Sequence, residues 1–238
     1  MKNTVLHKAN TRGHANHGWL NAYHSFSFAS WYNPERAQFG TLRVLNDDTV
    51  AAGMGFGTHP HDNMEIITIP LEGDLAHKDS MGNAATIKTG DVQVMSAGTG
   101  IQHSEFNPNA DLHTKLLQIW LFPKTRNVEP RYQQITLDVA EKKNNLAQIL
   151  SPNEEDEGVC IHQDAWFHLA DFDKDFSKTY ELKKEGNGMY IFVISGTIIV
   201  DGQELETRDG LGITDFETLD IKATSDAKFL LMEIPMEH

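Results

Sequence analysis

Glycine and proline recur so often in the first half of this 238-residue chain that no long helix fits between them: Gly40, Gly53, Gly55, Gly57, Pro60, Pro70, Gly73, Gly82, Gly90, Gly98 and Gly100. The apolar stretches left between them, residues 42–45, 65–69, 92–95 and 115–121, have the length and composition of strands. None sustains the 3.6-residue period of an amphipathic helix. Many short strands joined by regular turns predict an all-β antiparallel sandwich or barrel. The second half repeats the pattern after an irregular acidic segment at 151–158. Residues 189–196 read as a strand closed by a glycine, 197–204 as a strand running into an Asp-Gly turn, and 228–232 as the last strand, ended by Pro235. Both halves run strand, glycine (Gly73, Gly196), strand, then Gly90-Asp91 or Asp209-Gly210. That is the signature of one duplicated β unit. The pattern breaks between Pro130 and Leu137, which divides the chain into residues 1–133 and 134–238.

Charge narrows the partners. The net charge is -14, with 20 basic against 34 acidic residues, and the excess lies mostly after residue 120. A phosphate backbone or an anionic membrane is repelled by such a surface, so direct nucleic-acid and membrane partners are not expected. Cys160 is the single cysteine, so no intrachain disulfide forms, and a buried small hydrophobe is expected there. No leader-like segment and no apolar run of about 18–20 residues is present, and the expected location is the cytoplasm.

Two phrases carry the chemistry: Thr58-His59-Pro60-His61 and Ile101-Gln102-His103-Ser104-Glu105. Each sets two donors at i and i+2, which share a face on a strand. His59 and His61 are read as opening a strand, and His103 and Glu105 as following the Gly98-Thr99-Gly100 turn. Three imidazoles and a carboxylate form a mixed N/O set suited to Fe, Mn, Ni, Cu or Zn, with coordination positions left open. Glu65, four residues beyond His61, falls on the same face by simple alternation. It stands as an alternative ligand to Glu105, or as a hydrogen-bond partner of a ligating imidazole. His14, His17 and His24 sit in a stretch packed by Trp19, Phe26, Phe28 and Trp31. His7, His77, His113, His162 and His168 lack a partner at ligand spacing and read as structural or surface residues; His24 and His77 are near enough to reach a pocket. There is no Gly-x-Ser-x-Gly elbow, no Walker loop and no Cys-x-x-Cys. Gly53-Met54-Gly55 precedes a His-rich strand rather than a helix, which excludes a dinucleotide fingerprint.

The phrases Gly18-Trp19-Leu20, Phe39-Gly40-Thr41-Leu42-Arg43-Val44-Leu45-Asn46, Gly55-Phe56-Gly57-Thr58-His59-Pro60-His61, His77-Lys78-Asp79-Ser80 and Ser96-Ala97-Gly98-Thr99-Gly100-Ile101-Gln102-His103-Ser104-Glu105 together resemble the pirin family of the cupin superfamily. The similarity runs from about Arg12 to Trp120 and continues more weakly beyond. The resemblance implies a bicupin, two double-stranded β-helix (jelly-roll) barrels. It implies one divalent metal ion per chain, held in the first barrel by His59, His61, His103 and Glu105, with Glu105 rather than Glu65 as the carboxylate. Iron is the expected ion, with Mn, Ni, Co, Cu or Zn as alternatives. Phe56, Asn63, Met64, His24 and Met95 are the expected pocket neighbours. Aligning Gly196 with Gly73 sets Leu182 and Lys184 where His59 and His61 stand, so a degenerate, metal-free second barrel is expected.

Pirins of this type imply a quercetin 2,3-dioxygenase. Such an enzyme takes a flavonol and dioxygen, uses Glu105 as base for the flavonol 3-hydroxyl, and opens the ring with loss of carbon monoxide. The alternative reading is a non-enzymatic, metal-dependent regulator with a protein partner, a transcription factor or a metabolic enzyme. A third is a cupin whose metal only stabilises the barrel. A monomer is the expectation in each case.

Overall fold

Strand alternation sets the layout of the molecule. In the computed structural model, which describes residues 2–138 and 143–237, the first half forms β1 (Asn3–His7), β2 (Gly13–Asn16), β3 (Leu20–His24), β4 (Leu42–Val50), β5 (Gly55–His61) and β6 (Glu65–Glu72). It continues with β7 (Leu75–Asp79), β8 (Ala84–Ile87), β9 (Asp91–Ser96), β10 (Ile101–Phe106), β11 (Thr114–Leu121) and β12 (Arg131–Thr136). The second half adds β13 (Leu146–Ser151), β14 (Val159–Cys160), β15 (Trp166–Phe172), β16 (Ser177–Glu181) and β17 (Asn187–Ser195). The last strands are β18 (Ile198–Val200), β19 (Gln203–Leu205), β20 (Gly210–Thr214), β21 (Thr218–Ala223) and β22 (Ala227–Pro235). Helix among the described residues is confined to two 3-10 turns, Ala9–Thr11 and Pro34–Arg36. No helix among the described residues is long and apolar enough to cross a membrane.

Four sheets result. A seven-stranded sheet, β12-β9-β6-β11-β4-β3-β2, faces the four-stranded sheet β5-β10-β7-β8. The second barrel repeats this with β1-β20-β17-β22-β15-β13-β14 over β16-β21-β18-β19. The two large sheets pack back to back. Leu45, Ile67, Leu117 and Ile119 of the first meet Phe167, Phe192, Leu230 and Met232 of the second in one cluster. The central strands are therefore buried on both faces, which is why β11 and β22 read as near-continuous apolar runs.

The barrel interiors differ. Inside the second, Met189, Ile191, Val193, Phe229 and Leu231 close on one another. Glu233 and His168 are polar exceptions: the Glu233 carboxylate accepts from Tyr180 OH (2.8 Å), Asn187 Nδ2 (2.9 Å) and the backbone N–H groups of Lys183 and Lys184 (2.8 and 2.9 Å), and His168 packs against the Tyr180 ring with its Nδ1 unpartnered. Leu182 packs on that apolar core and the Lys184 ammonium pairs with Asp164. Inside the first barrel, small apolar groups sit apart: Leu20, Val50, Leu75 and Leu116 in one, Ile66, Met95 and Ile101 in another. Thr68, His77, His103, Glu105 and Gln118 are buried polar residues of the same barrel.

Two features of the chain path depart from the sequence reading. β1 pairs with β20, Asn3 opposite Thr214 and His7 opposite Gly210, so the first strand completes the second barrel's sheet. The stretch expected to interrupt the pattern near Pro130–Leu137 contains β12, which pairs with β9 of the first barrel; a break after residue 133 falls inside that strand. Cys160 is half-buried rather than buried, at the end of the short parallel pairing of β13 and β14, with Sγ 3.5 Å from Pro152 O.

Asp47 ties the barrels together. On β4, Asn46 and Asp48 line the cavity of the first barrel, and Asp47 points the other way. Its Oδ2 accepts from Arg12 Nη1 at 3.0 Å and pairs with Arg208 Nε of the second barrel at 2.9 Å. The Arg12 guanidinium also lies 4.7 Å over the Tyr23 ring. Asp47→Ala leaves the nearly buried Arg12 without its counter-ion. The expected loss is about 3 kcal/mol, the usual order for removing one partner of a buried pair. Urea unfolding with an unchanged slope and a lower midpoint checks it.

Candidate metal centre

The site is built where β5 and β10 run antiparallel, His59 opposite His103 and Ile101 opposite His61. The register slips between His103 and Glu105: Glu105 faces Phe56, so Gly57-Thr58 form a bulge on β5. A bulge turns a side chain locally without ending the strand. Gly55 allows the close approach, since a Cβ there would stand 2.2 Å from the Glu105 carbonyl oxygen. Gly98, with φ +48°, makes the turn into β10, and a Cβ on it would lie 2.1 Å from Val128 O. The histidines close β5 rather than opening a strand as the sequence reading had it.

Three donors converge. Ligand atoms of His59, His61 and His103 lie within 4.8 Å of one another, and so do those of His77, His103 and Glu105. His59 Nδ1 is 2.8 Å from Gly57 O, which fixes the proton on that nitrogen and leaves Nε2 with a lone pair. That Nε2 faces His103 Nε2 at 3.0 Å. Two adjacent donors on one octahedral ion, each about 2.1 Å from it, stand about 3.0 Å apart. His61 Nε2 is buried with no hydrogen-bond partner. Burial holds His61 down to about 4 and His103 to about 3, with the neighbouring His59 adding to both. His61 and His103 are thus neutral lone-pair donors at neutral pH. Converging neutral nitrogens, one of them orphaned, fit a divalent ion, whose binding would satisfy them.

Glu105 reaches across the barrel from β10 to the large sheet. Gln118 Nε2 on β11 donates to Glu105 Oε2 at 2.9 Å. The Thr68 hydroxyl on β6 lies 2.9 Å from Gln118 Oε1 and 3.4 Å from Glu105 Oε1, so its single proton goes to the nearer amide oxygen. Thr68 thereby orients Gln118, and Gln118 orients the carboxylate. Burial raises the Glu105 pKa to about 7 against the opposing pull of those hydrogen bonds. His77 joins the cluster from β7: its Nε2 is 3.1 Å from Asp79 Oδ2, and its Nδ1 is buried without a partner. Sequence spacing gave His77 no ligand role, yet Asp79 two residues on was the available signal.

Glu65 stands elsewhere. The Asp62-Asn63 turn, with Asn63 at φ +45°, carries the chain from the small sheet into β6 of the large one, so alternation does not continue through it. Glu65 accepts from Ser96 Oγ at 2.8 Å and belongs to neither donor cluster. Beside the cluster opens a cavity of about 250 Å³ walled by Phe28, Phe56 and Trp120, with His24, Asn46 and Asp48 on its polar side and His59, Glu105 and Gln118 at the cluster. Of the expected pocket neighbours His24 and Phe56 line it. Asn63 instead bonds Asn127 through both its amide atoms, and Met64 and Met95 pack with Ile66 and Ile101. The polar residues of the large sheet carried no motif; their only mark in the sequence is a polar residue at inward positions of apolar strands.

Two stacked jelly-roll barrels with a His-rich donor cluster in the first define a bicupin with a candidate metal centre. Residues 5–121 match the Pirin family and residues 148–234 the family described as Quercetinase C-terminal cupin domain. A quercetin 2,3-dioxygenase of Escherichia coli is 44% identical over 230 residues, covering 97% of this chain and 98% of its own. A pirin-like protein of Caulobacter vibrioides is 39% identical and covers 93% of this chain and 95% of its own. The crystal structure of the bacterial pirin YhhW from Escherichia coli in complex with nickel(II) superposes with a TM-score of 0.92 at 42% identity, covering 98% of this chain and 99% of that one. The chain belongs to the pirin family.

Proposed function

We propose that this protein is a metal-dependent dioxygenase that opens the central ring of quercetin-type flavonols, adding dioxygen and releasing carbon monoxide. The observation that carries it is a donor cluster at one end of an aromatic-walled cavity. His59, His61, His103 and Glu105 would hold one divalent ion, iron first among the candidates. The relative crystallised with nickel(II) supports a divalent metal at such a site. When bound, the ion supplies Lewis acidity toward a substrate oxygen and a centre for dioxygen chemistry.

The chain's own residues do the rest. Phe28, Phe56 and Trp120 present flat apolar walls to a planar aromatic substrate and keep water off it. Glu105 Oε1, the oxygen not taken by Gln118, accepts the proton of the flavonol 3-hydroxyl. The buried carboxylate lines the cavity beside the donor cluster, which places it within reach of that proton. Gln118 and Thr68 keep the carboxylate aimed. The second barrel, where the described residues form no comparable donor cluster, serves as a packing partner, and one ion per chain is expected. We place the division between barrels in the segment after β12.

The test is a flavonol assay with metal-loaded and metal-stripped protein, with and without dioxygen. Loss of flavonol absorbance matched by carbon monoxide release, only when both metal and dioxygen are present, is the expected result. Equal turnover by stripped protein contradicts the proposal.

A further inference from the structure

One carboxylate in the cavity has no task in this chemistry. Asp48 is 4% exposed, it lines the cavity, and its Oδ1 has no hydrogen-bond partner. Strand register explains why. Across the large sheet, Asn46 stands opposite His24 on β3 and Gln118 on β11, and Gln118 opposite Thr68 on β6. That row is polar and internally bonded: His24 Nδ1 meets Asn46 Oδ1 at 2.8 Å, and Thr68 meets Gln118 as described. Two residues along β4, Asp48 stands opposite Ala22 and Leu116, which offer it no side-chain donor. An unmatched buried acceptor costs the full desolvation of that group, and a leucine would pack the row better. Trp120, on the same cavity wall, has the complementary lack: its Nε1–H is buried without an acceptor. A ligand that supplies a donor to one and an acceptor to the other carries hydroxyl groups on an aromatic frame.

We infer that Asp48 is a specificity-determining residue, whose free Oδ1 accepts a hydrogen bond from a phenolic hydroxyl of the substrate other than the one that loses its proton to Glu105. This rests on the flavonol reading of the cavity. Burial, with Asp47 and Glu105 nearby, pushes the Asp48 pKa up to about 8, so near neutral pH the group is mostly the uncharged acid, which still offers an acceptor oxygen.

The test compares quercetin with 3-hydroxyflavone, which keeps the reacting hydroxyl and lacks the others. Binding is measured by calorimetry on anaerobic metal-loaded protein and turnover in air, for the wild type, Asp48→Leu and Asp48→Asn. The wild type is expected to prefer quercetin. Asp48→Leu should cut that preference by about 2- to 10-fold, in Kd and in kcat/KM, the worth of a hydrogen bond between uncharged groups. Asp48→Asn, which keeps an oxygen acceptor, should fall between. Should the leucine variant fail to fold, the asparagine variant decides: a preference equal to the wild type overturns the assignment. So does an unchanged preference in Asp48→Leu, or equal losses for both ligands. Wild-type turnover with a preference insensitive to residue 48 defeats this inference and leaves the dioxygenase reading standing. Absence of any flavonol binding or turnover in the wild type defeats both.

Discussion

His61→Ala is expected to purify with little or no metal and to lose flavonol turnover with it. His61 closes β5 at a half-buried position and its Nε2 has no partner within the protein. Shortening it removes a donor without removing a packing core. The strand stays held by the register of His59 with His103, so circular dichroism should match the wild type. Groups that merely orient a metal ligand contribute about 10- to 100-fold to affinity, so loss of a donor should cost at least about 100-fold. Elemental analysis after dialysis reads the effect directly. A variant that keeps one ion per chain and its turnover removes His61 from the centre.

Glu105→Gln is expected to lower turnover by about 100- to 10,000-fold, the range for loss of a positioned general base. The substitution is close to isosteric, and the new side chain can still accept from Gln118 Nε2, now at 2.9 Å from Glu105 Oε2. The fold and the cavity should persist. Metal content should fall less than in His61→Ala, because three imidazoles remain, yet a neutral amide can neither take the 3-hydroxyl proton nor balance the ion's charge. Turnover within a few-fold of the wild type would show that the proton leaves by another route. Comparing the two variants separates the roles: one loses the ion, the other loses chemistry with part of the ion retained.

Much of this was legible along the chain because cupin strands are short and punctuated. Gly90, Gly98 and Gly100 bracket β9 and the turn into β10, and the His-x-His and His-x-Glu phrases fall on paired strands, as alternation requires. What failed depended on which sheet a strand joins. Glu65 reads as facing the donors only if β6 continues β5; the Asn63 turn moves it to the opposite sheet. β1 gives no local sign that it pairs with β20, some two hundred residues away. Gln118, Thr68 and Asp48 belong to the site through barrel closure, and no spacing along the sequence brings them to Glu105. The second barrel's apolar filling, by contrast, follows from Leu182 and the runs of β17 and β22.

The measurement that bears most directly on the whole account is anomalous diffraction from crystals of the intact chain grown with a divalent transition metal. The account requires a single strong peak per chain, bonded to His59, His61, His103 and Glu105 at about 2.0–2.3 Å. No peak among those four residues, or an equally strong one inside the second barrel, would contradict it.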